Sequence, residues 1–361
     1  RGCPMSSYDR IAELPLEVES LSFEGRELEL SPEFVRTTTL IELRGPGGGT
    51  GVGEDVVYDG LDHANLQAEG GSIDLAGSYT LDSFSQRLDV VELWPSPPVR
   101  GDVSRDYRRW AFESAALDLA LAQAGRSLAD VLEREPRPVN FVVSMRLGAW
   151  EQKEPEKADR VLRLLERYPG TKLKLDPTNN WTQALVDELV ATGAVDSLDL
   201  KGQYKGTPVD VETDPELYRM VIEAFPHAWI EDPDVTGETR PILEAVSDRV
   251  TWDAPIHSVA DVLERPWKPR MVNIKPSRFG PLSRLFEMYD WCEREGVQAY
   301  GGGQTELGPG RGHIQYLASL FHPDTPNDTA PSGYNEPQLS DGLPTSPLEP
   351  RIAPAGFRWQ Q

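Results

Sequence analysis

Along this 361-residue chain, five short apolar segments end in ionisable side chains, and their order suggests a chemistry. Thr171-Lys-Leu-Lys-Leu-Asp176, Ser197-Leu-Asp-Leu-Lys201, Ala228-Trp-Ile-Glu-Asp-Pro233, Val250-Thr-Trp-Asp253 and Val272-Asn-Ile-Lys275 carry Lys172, Lys174, Asp199, Glu231, Asp253 and Lys275 at strand ends. From Lys174 to Asp199, Glu231, Asp253 and Lys275 the steps are 25, 32, 22 and 22 residues, one strand-plus-helix repeat each time. In a barrel of alternating strands and helices such residues converge on the mouth at the strand C-termini. Three carboxylates and two or three lysines then share one pocket, and acids that close repel unless a cation sits among them. All-oxygen donors, with no Cys or His near by, suit a hard divalent ion, with Mg²⁺ the default and Mn²⁺ the substitute.

Such an ion accepts both oxygens of a substrate carboxylate and stabilises the enediolate formed when the α-proton leaves. Lys174 and Lys275, four strands apart on the circle, flank the ligand as base and acid, with pKa values expected to fall toward neutrality. Lys172 shares the strand face of Lys174 one layer deeper, where it is expected to support the substrate carboxylate or tune Lys174. Asp176 also stands at a strand end. Making it the first ligand would leave the strand of Asp199 unexplained, so it is read as a turn residue.

The elements that position these groups follow from periodicity. Alternation from Leu16 to about Glu54 reads as a small antiparallel sheet that turns at Gly45-Pro-Gly-Gly-Gly49, followed by an Ala- and Leu-rich helix from Tyr107 to Ala124. Ser127 with Asp130 resembles a capping box, and Pro136 and Pro138 mark a linker. Beyond it, strand and helix alternate: Phe141–Leu147, a helix over Glu156–Tyr168, the segments above, a helix opened by Asp214-Pro215, another capped by Ser258, and a stripe at Leu282, Leu285, Tyr289 and Cys292. Tyr300-Gly-Gly-Gly-Gln304 leads into a helix from about Arg311 to Phe321, and Asn327–Ala330 reads as an eighth strand. The Pro- and Gly-rich tail is expected to pack back on the N-terminal sheet.

These pieces together resemble the enolase superfamily, in its muconate-lactonizing-enzyme-like subgroup. The match is carried by Lys172-Leu-Lys174, Asp199, Glu231 in Trp-Ile-Glu-Asp-Pro, Asp253 and Asn273-Ile-Lys275-Pro-Ser-Arg-Phe-Gly280, with Gly51-Val-Gly-Glu54 and Ala111–Leu119 resembling the capping sheet and helix. The resemblance implies a modified TIM barrel, (β/α)7β, over 136–331, with an α+β capping domain over 1–135 completed by the segment 332–361. It also implies Mg²⁺ on the three carboxylates and a first step that removes the proton α to a carboxylate, with Lys174 and Lys275 as the acid/base pair. Two departures stand out. Ala254 follows Asp253 where relatives often carry Glu, and Lys201 stands two residues after Asp199 where Asn is usual, adding a positive charge that either binds substrate or turns outward.

Substrate contacts are expected from the capping loops, at Phe23, Arg26 and Tyr58, and from the barrel rim, at Ser144, Arg146, Lys201, Ser277, Arg278, Gln304 and Glu306. Arg278 is a candidate for a second anionic group. The five histidines lack ligand spacing and are read as structural. The reaction expected is racemisation or epimerisation of a small carboxylate, with syn elimination, as in o-succinylbenzoate synthase or an acid-sugar dehydratase, as the rival and cycloisomerisation behind it. A Schiff-base aldolase would leave the carboxylates without a purpose, and a barrel that merely binds a carboxylate would not need the lysine pair.

Whole-chain composition sets the outer limits. The chain has 36 basic against 59 acidic residues and a net charge of −23, which argues against nucleic acid and anionic membranes as partners. Two cysteines, Cys3 and Cys292, make no disulfide framework, and a cytoplasmic location is expected. A homo-oligomer is the expected assembly.

Overall fold

The computed structural model describes residues 5–149 and 153–360; Cys3 lies outside them. The alternating N-terminal stretch forms β1 (Pro15–Val18), β2 (Ser20–Ser31), β3 (Phe34–Arg44), β4 (Thr50–Asp55) and β5 (Gly77–Thr80). Antiparallel pairing gives a three-stranded sheet, β2-β3-β4, and a separate β1-β5 pair. The expected Ala- and Leu-rich helix runs Val103–Ala124 and ends at Gly125, whose left-handed φ of 63° closes it. Ala111, Ala115, Ala116, Leu119 and Ala120 on this helix are fully buried. The sheet rides on it at a distance only glycine permits: a Cβ on Gly53 would lie 1.9 Å from Ala111 O, and one on Gly51 2.2 Å from Ala115 O.

The second half is a ring of parallel strands. β6 (Val142–Met145), β7 (Lys172–Leu175), β8 (Val195–Asp199), β9 (Trp229–Glu231) and β10 (Val250–Thr251) form one five-stranded sheet in sequential order, and β11 (Met271–Ile274) pairs with β12 (Gln298–Gly301). Two seams close the circle. Asn273 N donates to Trp252 O at 2.9 Å between the β10 and β11 segments. On the other side Asn327 and Asp328 stand where the eighth strand was expected, as parallel bridges Phe141↔Asn327 and Gly302↔Asp328. Helices lie between strands as the apolar spacing indicated, with ends shifted by a few residues: Asp159–Arg167, Gln183–Thr192, Pro215–Ala224, Leu282–Glu295 and Pro309–Phe321. The capping box at Ser127 and the caps at Asp214 and Ser258 are all made.

Two buried side chains clasp the N-terminal unit to the rim of the ring. Glu54, at the end of β4, accepts main-chain N–H bonds from Leu307 (2.7 Å), Gly308 (3.0 Å) and Gly310 (2.9 Å), where the final long helix begins. A carboxylate there satisfies donors that helix geometry leaves open and sits at the positive end of the helix dipole. Arg36 is fully buried. Its guanidinium donates to Val56 O, Val57 O and Gln304 O at 2.6–2.7 Å and to Thr37 O and Thr305 O at 3.3 Å. The tail binds both units: Leu348 bridges to Val139, Tyr334 packs edge-on to Phe141, and Phe357 packs against Trp110 and stacks on His313.

Candidate active site

The strand-end groups do converge. Lys174 Nζ lies 2.5 Å from Glu231 Oε1, 3.9 Å from Asp199 Oδ2 and 3.5 Å from Asp328 Oδ2. Lys275 Nζ donates to Asp253 Oδ2 at 3.0 Å. Glu231 also accepts from the Tyr300 hydroxyl, and Asp253 from Tyr204 at 3.1 Å. Lysine 275 reaches this position because Gly302 has no side chain: a Cβ there would fall 2.9 Å from its Cε. Lys275, Asp176, Asp328, Ser144, Arg146, Tyr58 and Glu306 line a cavity of about 590 Å³ above the cluster. Lys174 is 3.5 Å from Asp328, which is on that lining.

Carboxylate oxygens of Asp199, Glu231 and Asp232 come within 4.8 Å of one another, a grouping able to hold a metal ion. Asp253, expected as the third ligand, stands outside that group, and Lys275 and Arg278 engage its two oxygens. Asp232 was not singled out in the sequence. Its φ of 49° turns the carboxylate back under the next strand, where it accepts from Asp253 N and Ala254 N, both at 2.8 Å. It therefore fixes the main chain that carries Asp253. Six carboxylates (Asp176, Asp199, Glu231, Asp232, Asp253 and Asp328) face four cations (Lys174, Lys201, Lys275 and Arg278). Acidic groups outnumber the cations, and the all-oxygen donor set fits a hard divalent cation.

Electrostatics correct one expectation. Burial works to lower the Lys174 pKa, but the charges of Glu231, Asp328 and Asp199 outweigh it and hold the ammonium well above its ordinary value, not near neutrality. Burial likewise works to raise Asp253, and Arg278 and Lys275 overcome it and hold the carboxyl well below its ordinary value. Where no such cation wins, burial prevails: Asp232 is pushed up to about 7, with Asp253 and Asp199 adding to the effect, and Asp176 to about 6.

Several expected site residues lie elsewhere or are already engaged by other side chains. Lys172 opens β7 at the far end of the barrel, where its ammonium donates to Gly193 O at 3.0 Å and lies 3.9 Å from Asp196. The strand is short enough that two residues span from one end of the ring toward the other, so a shared face did not mean a shared site. Phe23 packs edge-on to Phe112 in the capping core. Arg26 pairs with Glu24 on the surface of β2 and lines a neighbouring groove that shares Leu30, Thr305, Glu306, Arg311 and Asn335 with the cavity. Arg278 is bound to Asp253 and Tyr204, which leaves it no free role toward an anion. Ser277 is buried in the short helix Pro276–Phe279 after Lys275. Lys201 turns inward, its Nζ 2.5 Å from Asp199 Oδ2.

Others are where the sequence suggested. Tyr58, Ser144, Arg146 and Glu306 face the cavity, and Gln304 accepts from the Tyr58 hydroxyl at 2.8 Å. Asp176, read as a turn residue, is a cavity wall. Asp328 and Tyr300 carried no distinguishing motif. His63, His257, His313 and His322 have structural partners, Thr39 and Val57, Ala254 and Arg278, Phe357, and Asn327.

A capped ring of eight parallel strand positions, with lysines on the second and sixth and acids between, is the fold of the enolase superfamily. Solved structures agree: a dipeptide epimerase from Methylococcus capsulatus complexed with Mg ion superposes with a TM-score of 0.67 at 17% identity, covering 95% of this chain and 99% of that one. Muconate lactonizing enzyme from Pseudomonas putida does so at 0.64 and 16%, over 94% and 96%. The chain belongs to the family described as Domain of unknown function (DUF8230), whose N-terminal domain matches residues 9–131 and C-terminal domain residues 135–336. Among curated relatives it is 27% identical to an N-succinylamino acid racemase of Amycolatopsis over 311 residues, 83% of this chain and 80% of that protein. An o-succinylbenzoate synthase of Geobacillus stearothermophilus is 26% identical over 237 residues, 62% of this chain, and the match spans 59% of that enzyme's length. Among the described residues no helix is long and apolar enough to cross a membrane.

Proposed function

We propose that the protein is a divalent-metal-dependent enzyme, with Mg²⁺ the natural ion, that removes the α-proton of a small carboxylate and returns one, so that it racemises or epimerises its substrate. The observation that carries this reading is the convergence of Lys174 and Lys275, from β7 and β11, on one buried carboxylate cluster. Asp199, Glu231 and Asp232, whose carboxylate oxygens lie together, would hold the ion, and Asp253 would join them only on releasing Lys275 or Arg278. Once bound, the ion supplies charge to stabilise the enediolate. The chain does the rest. Lys275 faces the cavity and is placed to take the α-proton, and Lys174, kept protonated by its acidic neighbours, donates on the other face. Tyr58, on the cavity wall, is held in place by Gln304 and by the Arg36 guanidinium over its ring.

The likeness to a racemase and to a dipeptide epimerase supports proton return over loss of water. The likeness to o-succinylbenzoate synthase keeps syn elimination as the second reading, with one lysine as base then acid. Incubating N-acyl amino acids, dipeptides and acid sugars in D₂O separates the two. α-Deuterium in both configurations supports racemisation; water loss without exchange supports elimination.

A further inference from the structure

We infer that Lys201 is a built-in counter-ion that competes with the divalent cation for Asp199, so that metal entry drives its ammonium across to Asp176. The inference rests on the metal-dependent reading above. Lys201 donates to both oxygens of Asp199, through Nζ to Oδ2 at 2.5 Å and through its main-chain N to Oδ1 at 3.1 Å. An ion approaching Asp199 meets a positive charge already seated there. Lys201 also holds a φ of 54°, a left-handed conformation that residues other than glycine seldom adopt and that concentrates at functional sites. That turn, just past the end of β8, folds the side chain back over the acid two residues earlier. Asp232 and Thr305, two of the other three such residues, also border this site.

A destination for the displaced ammonium is already present. Asp176 Oδ2 is 3.9 Å from Lys201 Nζ, and Asp176 Oδ1 is buried without a hydrogen-bond partner. The Tyr204 ring lies 5.1 Å from Nζ in its present position. A rotation of one side chain exchanges partners without moving the backbone: the ion takes Asp199, and the ammonium satisfies the open oxygen of Asp176. Since Asp176 lines the cavity, the exchange carries a positive charge to the wall that a substrate carboxylate would face.

The test is Mn²⁺ binding to the full-length chain, read by the electron paramagnetic resonance of the free ion, for wild type, Lys201→Gln, Asp176→Asn and Asp199→Asn. Removing a like charge a few ångström away is expected to tighten Mn²⁺ in Lys201→Gln by about tenfold or more. Asp176→Asn, which removes the destination, is expected to weaken it. Lys201→Arg, which keeps the charge, is expected to stay near wild type and shows that a fall or rise is not a folding defect. If Asp199→Asn loses Mn²⁺ while Lys201→Gln binds it no more tightly than wild type, the counter-ion inference fails and the metal site stands. Unchanged binding in Asp176→Asn also overturns the exchange. If Asp199→Asn binds Mn²⁺ as wild type does, both this inference and the metal-dependent reading fall.

Discussion

Replacing Arg36 by Met tests whether the capping unit is clasped to the barrel rim by one buried guanidinium. The change removes three short hydrogen bonds, to Val56 O, Val57 O and Gln304 O, and two longer ones, to Thr37 O and Thr305 O. Hydrogen bonds to a charged donor contribute roughly 1.5–3 kcal/mol each, so the three short ones give about 4–9 kcal/mol. Carbonyl oxygens left behind can accept water in the space vacated, which favours the lower end, about 4 kcal/mol. Unfolding entropy of about 2.1 cal/mol/K per residue over 361 residues converts this to a fall in Tm of about 5 °C. Scanning calorimetry of wild type, Arg36→Met and Arg36→Lys is the assay, with Lys expected to recover part of the loss because one ammonium reaches fewer carbonyls. A fall below about 2 °C for Arg36→Met would show that these bonds add little to the folded state.

Glu54→Ala leaves the main-chain N–H groups of Leu307, Gly308 and Gly310 without their acceptor. It is expected to cost about 3 kcal/mol in urea unfolding and to expose the segment 302–308 to protease, with Glu54→Gln milder; equal stability for Ala and wild type contradicts this. Burial pulls His313 and His322 down to about 4, so the stability gained by burying them neutral is complete above about pH 6.5 and is lost as pH falls toward 4. Each shift corresponds to roughly 3 kcal/mol. Burial raises Asp176 and Asp232, whose protonation works the other way, so the readout is a difference in slope: His322→Asn is expected to flatten the fall in urea midpoint between pH 7 and 4.5 relative to wild type, and an unchanged slope refutes it.

How far the sequence was legible follows from what each signal encodes. Strand-end position and repeat length located Lys174, Asp199, Glu231, Asp253 and Lys275 in one cluster, because a parallel barrel delivers every strand C-terminus to the same mouth. Period-two alternation could not say which end of a four-residue strand a side chain serves, and Lys172 fell at the wrong end. Asp176 was read as a turn residue because making it the first ligand left the strand of Asp199 unexplained, yet it lines the cavity. Asp232 was not singled out and the direction of Lys201 was left open, and both take left-handed backbone conformations just after their strands, which period-two alternation does not foresee. Arg278 carried a charge that looked available for substrate, and only the fold reveals Asp253 beside it. In the capping unit, Glu54 was visible as the end of a strand, whereas its docking on the final helix spans more than 250 residues of sequence and leaves no local trace.

The claim on which the account turns is that two lysines handle the same α-proton from opposite faces. Proton NMR of N-acyl amino acids and dipeptides in D₂O with Mg²⁺ measures it directly, by following loss of the Cα–H signal for each enantiomer. Wild type is expected to exchange both enantiomers and chelator to stop the exchange. Lys174→Ala and Lys275→Ala are each expected to retain exchange only with the one enantiomer whose α-proton the surviving lysine faces. Exchange of both enantiomers in either variant, or undiminished exchange in the double variant, would contradict the account.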